Sequence, residues 1–229
     1  FYTFAQLSYL IDSYRGECHD ASFLEYMVYV TMFPKLIQGP IVRLGELLPG
    51  LRSEEAGKPD YENLSKGVYA FSLGLAKKVL LADTLAKIVN VGYNNIEALN
   101  SVDALLVIVC YSLQIYFDFS GYCDMAKGIA GMFGMSIANN FNSPYKAINI
   151  VDFWKRWHIT LSRFFTKNIY IPLGGNHKGE VKMYVNYLLV FFLSGLWHGA
   201  GWNFILWGMM HGILYVVTKW WMKHKKHVL

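Results

Sequence analysis

Histidines are the residues whose placement offers the clearest chemistry. His198 lies in Trp197-His198-Gly199-Ala200-Gly201-Trp202, inside the longest uncharged stretch of the chain. A polar group at membrane depth costs free energy unless it is paired or faces water, so a histidine there is a functional candidate by default. A neutral imidazole near pH 7 is suited to act as a general base. His211 follows in the same apolar stretch, where a helix-interior residue is the plainer reading. His158 falls among aromatic and basic residues, where an amphipathic anchor is the plain alternative. His19, His177, His224 and His227 sit in polar stretches and are expected to be solvated. Other chemistries have less support. A metal site needs three or four converging ligands, and the His and Cys positions show no close spacing. A strained Gly-x-Ser-x-Gly elbow is absent. Gly174-Gly175 lacks the Lys-Ser/Thr of a phosphate loop and predicts a turn. Cys18, Cys110 and Cys123 read as unpaired packing residues.

The elements that would hold these histidines belong to a membrane. Of 229 residues, 54% are hydrophobic and only 16% are charged, against about 25% charged in a soluble domain. That mix excludes disorder, and three cysteines exclude a disulfide scaffold. Met183 to Thr218 are 36 residues without an Asp, Glu, Lys or Arg. A straight helix of that length would run about 54 Å, against a hydrocarbon core of about 30 Å. Two membrane segments, or a span plus a re-entrant piece, are therefore expected, with Gly199, Ala200 and Gly201 as the break. Residues 101–120 predict another span, followed by the polar, small-residue stretch Asp118 to Tyr122 and a short apolar segment over 122–136. Residues 21–38 are apolar, with a stop or kink at Phe33-Pro34. Residues 43–66 predict a loop, with Pro49-Gly50 and Lys58-Pro59 as breakers. Residues 67–91 are helix-like, with Lys77 and Lys78 interrupting the apolar run, and residues 138–150 are polar and Asn-rich.

Residues 152–167 predict one amphipathic helix lying in a membrane interface, capped by Asp152. On its wheel Trp154, Trp157, His158, Leu161, Phe164 and Phe165 share a face, and Lys155, Arg156, Arg163 and Lys167 occupy the rest. Lys146 to Lys182 contain seven Lys or Arg, which places this loop on the cytoplasmic side by the positive-inside rule. The tail from Lys219 to His227 is also basic. A basic stripe beside aromatics can bind nucleic acid, but the membrane flanks favour anionic lipid or an anionic cofactor, and no nucleic-acid partner is expected. The chain opens on Phe1 into an aromatic stretch without the features of a signal peptide, and reads as a piece of something longer.

Five motifs in collinear order carry a resemblance. They are Phe33-Pro34-Lys35-Leu36-Ile37-Gln38-Gly39-Pro40-Ile41-Val42-Arg43, Phe117-Asp118-Phe119-Ser120-Gly121-Tyr122, Phe153-Trp154-Lys155-Arg156-Trp157-His158-Ile159-Thr160-Leu161-Ser162, Tyr170-Ile171-Pro172-Leu173-Gly174-Gly175 and Gly195-Leu196-Trp197-His198-Gly199-Ala200-Gly201-Trp202. Together they resemble the membrane-bound O-acyltransferase family, in its bacterial branch that O-acetylates alginate and other exopolysaccharides. Two positions depart from that pattern: Lys167-Asn168 stands where Arg-Asp is usual, and Ser194 precedes Gly195 where a second Gly is frequent.

The resemblance implies an all-α, polytopic transmembrane protein with re-entrant or interfacial helices around a tunnel. Residues 1–229 would form one membrane-embedded acyltransferase domain, the central part of a longer chain lacking the family's early and late helices. It implies transfer of an acyl group, in this branch acetyl, from a cytoplasmic thioester to an extracytoplasmic hydroxyl, in the bacterial cytoplasmic membrane. His198 matches the family's catalytic histidine, with the role of base, and His158 matches the second histidine motif, on the donor side. The co-substrate would be an acyl thioester on coenzyme A or an acyl carrier protein, with no resident cofactor or metal. Either carrier is anionic, which suits Lys155, Arg156, Arg163 and Lys167 as the donor-binding residues. Asp118 would orient a polar partner in the core, or merely pack or cap. The acceptor stays open among alginate, another polysaccharide, peptidoglycan and teichoic acid. Membrane lipid and a separate extracytoplasmic acetylation protein are the further partners implied. Two other readings stand beside this one: a transporter or flippase, and a non-catalytic membrane scaffold packed through Gly195, Gly199, Gly201, Gly208 and Gly212.

Overall fold

A computed structural model describes residues 2–225 apart from 19, 55, 56 and 59. Phe1, His19, Pro59 and His227 thus lie outside the described residues. Every regular element among the described residues is helical. The chain divides into two compact units, one ending at Asn139 and one beginning at Asn140.

Among the described residues, the first unit holds seven α-helices: α1 (Tyr2–Tyr14), α2 (Phe23–Thr31), α3 (Phe33–Leu36), α4 (Leu44–Leu51), α5 (Tyr61–Ala76), α6 (Asp83–Asn94) and α7 (Ser101–Met132). Ser22 and Glu25 start α2 with reciprocal bonds: Ser22 Oγ accepts from the Glu25 N–H at 3.3 Å, and the Glu25 carboxylate accepts from the Ser22 N–H at 2.7 Å. The stop at Phe33-Pro34 is observed, since α2 ends before Met32 and Pro34 lies in the first turn of α3. The loop expected over 43–66 is corrected. Its start folds into α4, because the Glu46 carboxylate accepts from the Arg43 N–H and Leu44 and Leu47 are buried in the core beside Tyr29, Val42 and Ile137. Pro49 lies inside that helix and does not break it.

The segment carrying Lys77 and Lys78 stays helical as a π turn over Lys77–Ala82 between α5 and α6. Both cations are neutralised: Lys77 Nζ lies 2.5 Å from Asp124, and Lys78 Nζ lies 2.6 Å from Asp118 and 2.8 Å from Asp83. Asp118 therefore serves as an ion-pair partner within this unit. The expected short segment at 122–136 is also corrected, because α7 runs through Ser120 and Gly121 to Met132 without a break. Ser120 and Gly121 do not end the helix because both are buried, Gly121 against α5. At 32 residues α7 spans about 48 Å. Among the described residues it is the one helix both long and apolar enough to cross a membrane. Its outer residues Leu105, Leu106, Ile108 and Val109 are exposed, an apolar face of the kind that lipid covers.

Glycines set the antiparallel contact of α5 with α7. Gly67 opposes Gly128 and Gly74 opposes Gly121, each pair separated by seven residues along its helix. A Cβ added at Gly74 would stand 2.5 Å from the Gly121 carbonyl oxygen, and one at Gly128 would stand 2.6 Å from that of Gly67. The helices can approach this closely only without side chains there. Gly74→Ala should therefore lower the thermal midpoint of the detergent-solubilised full-length protein, by an overpacking cost of about 1–3 kcal/mol. Gly131→Ala is the control: its Cβ meets nothing within 4 Å, so the midpoint should hold or rise. Equal losses would show that crowding is not the cause.

The second unit contains α8 (Ile150–Arg156), α9 (Ile159–Phe165), a π turn over Thr166–Tyr170, α10 (Glu180–His198) and α11 (Trp202–Lys225). The break at Gly199 to Gly201 lies where the glycines predict it, and α10 and α11 pack as a hairpin. Gly208 lies against the Phe191 carbonyl, where an added Cβ would stand 2.5 Å from the oxygen. Lys223 pairs with Glu180 at 2.5 Å at the end of the hairpin away from the break. Tyr184, Asn186, Tyr187 and the Trp and His residues keep the mean hydropathy of α10 and α11 below what α7 reaches. Gly174 and Gly175 adopt positive φ of 105° and 51° in a turn, as their sequence suggests.

The single helix expected over 152–167 is corrected. Asn149, not Asp152, caps its start, accepting from the Asp152 N–H at 2.9 Å. The helix ends at Arg156, and His158 takes a left-handed conformation (φ 45°, ψ 54°) before α9 begins. The chain turns there because Asn140 and Asn142 capture its backbone: Ile159 N–H donates to the Asn140 carbonyl and Asn142 N–H to that of Arg156. The aromatic and basic residues of this segment consequently do not form the two faces of one interfacial helix.

Candidate active site

The break between α8 and α9 buries His158, leaving it 3% exposed. Asn140, also buried, holds it: Asn140 Oδ1 lies 3.2 Å from His158 Nδ1 and accepts from the Thr160 N–H at 3.1 Å and the Thr160 hydroxyl at 3.0 Å. Burial pushes the His158 imidazole down to about 3, with the nearby His198 acting in the same direction. His158 is thus neutral across the physiological range.

His198 occupies the last position of α10 and is exposed on this chain. A continuous group of rings joins the three histidines of this unit's apolar segments. Trp197 lies 6.5 Å from His158 and 4.8 Å from His198, centroid to centroid. Trp207 lies 5.0 Å from His198 and 4.9 Å from His211. Trp154 closes the group edge-on to Trp207 at 5.9 Å and to His211 at 5.3 Å. Trp154 Nε1 and His211 Nδ1 are buried without a hydrogen-bond partner among the described residues. His211 therefore stands within the cluster, and not simply in a helix interior.

Trp154 also lines a cavity of about 580 Å³. Phe165, Tyr170, Tyr187, Phe191 and Tyr215 give it an aromatic wall, with Ser194 as a small polar group. Lys155, Arg163 and Lys167 border it, while Arg156 does not. Arg156 is engaged with Asp152 at 2.9 Å, and its guanidinium also donates to the Asn142 carbonyl. Three of the four basic residues singled out from sequence are thus gathered on one cavity, and neither His158 nor His198 lines it. Asn140 and Trp207 carried no signal of their own in the sequence, because their roles depend on contacts between distant segments. His177 and His224 are exposed, as their polar surroundings suggest. Among the described residues no group of three His, Cys, Asp or Glu side chains could hold a metal ion.

Three of the five collinear motifs fall in this helical unit, which buries His158 and carries the cavity edged by cations. The membrane-bound O-acyltransferase family model matches residues 3–228, and the chain belongs to that family. It is 43% identical over 238 residues to the peptidoglycan O-acetyltransferase of Helicobacter pylori, covering 93% of this chain and 45% of that protein. It is 39% identical over 220 residues to a protein of Pseudomonas putida named probable alginate O-acetylase, covering 96% of this chain and 44% of the other. A teichoic acid D-alanyltransferase of Bacillus subtilis is 26% identical over 235 residues, with 97% of this chain and 60% of the other covered. The chain spans less than half the length of the first two relatives.

Proposed function

We propose that the protein is the central part of a bacterial membrane O-acyltransferase that moves an acyl group, acetyl in our reading, from a cytoplasmic thioester to a hydroxyl of an extracytoplasmic polysaccharide or cell-wall polymer. The observation that carries the reading is the cavity at Trp154, where Lys155, Arg163 and Lys167 edge an aromatic wall. Trp154 also touches the ring group that contains His198. An anionic coenzyme A or acyl carrier suits those cations, and its acyl arm suits the wall. In the reaction, the acceptor oxygen attacks the thioester carbonyl while His198 takes its proton. Collapse breaks the C–S bond, and the thiolate leaves and receives that proton, giving an ester and a free thiol. His158 positions the donor.

We place α7, α10 and α11 each in the bilayer, in a polytopic protein whose tunnel joins the two sides, in the bacterial cytoplasmic membrane. A separate extracytoplasmic protein would complete delivery to the polymer. Membrane vesicles carrying the full-length protein, given radiolabelled acetyl-coenzyme A and an added acceptor, alginate or peptidoglycan fragments in parallel, should form labelled ester. Label carried across the membrane without ester formation would favour a transporter, and neither outcome a scaffold.

The cations make separable predictions. Arg163→Gln combined with Lys167→Gln should raise the apparent KM for the acetyl thioester about tenfold or more, the order expected from losing charge-assisted contacts to an anion, and leave the acceptor KM unchanged. Arg156→Gln should instead lower protein stability and reduce use of both substrates equally, since Arg156 holds Asp152 and the Asn142 carbonyl. Steady-state kinetics with each substrate varied in turn, beside a thermal melt, checks both.

A further inference from the structure

The hydrogen bonds around Asn140 determine which nitrogen of His158 carries the proton. The Thr160 backbone N–H can only donate, and it points at the Asn140 side-chain amide at 3.1 Å. The amide atom there must be the oxygen, because two N–H groups would repel. The Thr160 hydroxyl donates to the same atom at 3.0 Å. His158 Nδ1 faces that oxygen at 3.2 Å, so it too must bear a proton. A neutral imidazole protonated at Nδ1 has its lone pair at Nε2. The arrangement is held from two directions: the Asn140 carbonyl accepts the Ile159 N–H, and His158 itself takes the left-handed conformation that turns its ring towards Asn140. A non-glycine residue in that region is uncommon and is retained where surrounding contacts over-determine it.

We propose that Asn140 is a positioning residue that fixes His158 as the Nδ1–H tautomer, so that His158 meets substrate as a hydrogen-bond acceptor through Nε2. A ring held this way accepts from an O–H or N–H of a substrate, either the hydroxyl of the acceptor or an amide of the donor's thioester arm. It cannot donate to the oxyanion that forms on the carbonyl. The contact with substrate rests on the acyl-transfer reading given above; the tautomer does not.

The experiment is nitrogen NMR of the full-length protein in lipid, labelled with 15N-histidine, with the His158 signals assigned by their loss in His158→Gln. His158 should show a protonated Nδ1 and an unprotonated Nε2 at neutral pH. Asn140→Asp keeps an oxygen for all three donors and should keep the Nδ1 proton. Asn140→Leu removes the acceptor and should shift His158 towards the Nε2–H form. An Nε2–H signal in the unaltered protein would overturn the proposal, and so would an unchanged Nδ1–H signal in a folded Asn140→Leu protein. Should Asn140→Leu fail to fold, the unaltered protein and Asn140→Asp still decide the matter. Kinetics then separates the two substrate groups. With His158→Gln, a rise confined to the KM of acetyl-coenzyme A assigns the contact to the donor amide, and one confined to the acceptor KM assigns it to the hydroxyl. A loss of kcat alone would overturn the acceptor role while leaving the tautomer intact.

Discussion

Replacing His198 with alanine should reduce acyl transfer in membrane vesicles by about 10²–10⁴-fold, or roughly 3–5 kcal/mol of barrier, at unchanged expression. The side chain ends α10 against Trp197 and Trp207, with its ring exposed on this chain, so its removal opens no core cavity. His198→Gln keeps a hydrogen-bonding group but cannot take a proton, and it should be nearly as inactive. If glutamine restores most of the activity, His198 only positions a substrate and the base lies elsewhere. His211→Ala is the comparison. It stands beside Trp154 and Trp207 but matches no catalytic motif, so its loss should be milder. A protein in which His211→Ala is the more damaging change would overturn the assignment of the base.

Removal of His158 should produce the second-largest defect, about 10²-fold at low acetyl thioester, the scale on which a misplaced reactant slows a reaction. The loss should shrink as donor is raised, because a positioning defect is partly overcome by occupancy. The pH dependence gives a second check. His158 is held at about 3 chiefly by its burial, so it carries no charge between about pH 5 and pH 8. The pH–rate profile of His158→Gln over that range should keep the shape of the original and only fall in height. Stability should respond in the opposite part of the scale. The unfolded chain binds a proton to this imidazole below about 6.5, whereas the folded chain does so only near 3. The contribution of the neutral, buried ring is therefore fully present above about 6.5 and is lost as the pH falls below it. His158→Gln should flatten that part of the stability curve, as read by thermal melts from neutral to acidic buffer. An unchanged slope would mean that His158 is not buried as a neutral group.

Local patterns in the sequence determined a good deal. The uncharged run from Met183 to Thr218 and its glycines marked a helical hairpin with its break in place. Phe33-Pro34 marked the end of α2, and the apolar stretch after residue 101 marked the start of α7. The five collinear motifs marked the family, which the family match now shows over residues 3–228. Each of these signals is carried by neighbours in the chain, where composition, proline and glycine act directly on the backbone.

Tertiary contacts decided the rest. Lys77 and Lys78, which break the apolar run in the sequence, are accommodated in the helical segment because each pairs with a carboxylate, Asp124 and Asp118, 47 and 40 residues away. Helix α7 continued past Asp118 to Met132 because Gly121 and Gly128 are buried against α5, where a polar, flexible stretch would otherwise suggest a stop. The apolar and basic faces predicted for residues 152–167 assumed an unbroken helix. That helix breaks at His158, whose left-handed backbone is stabilised by Asn140, 18 residues earlier in the chain. Helical periodicity cannot register such a turn, since the hydrogen bonds that make it favourable come from another segment. The same holds for the cavity, where Lys155, Arg163 and Lys167 meet Tyr187 and Tyr215. A wheel drawn on one helix places those cations on its outer side, and only the packing of α10 and α11 against that segment puts aromatic rings beside them.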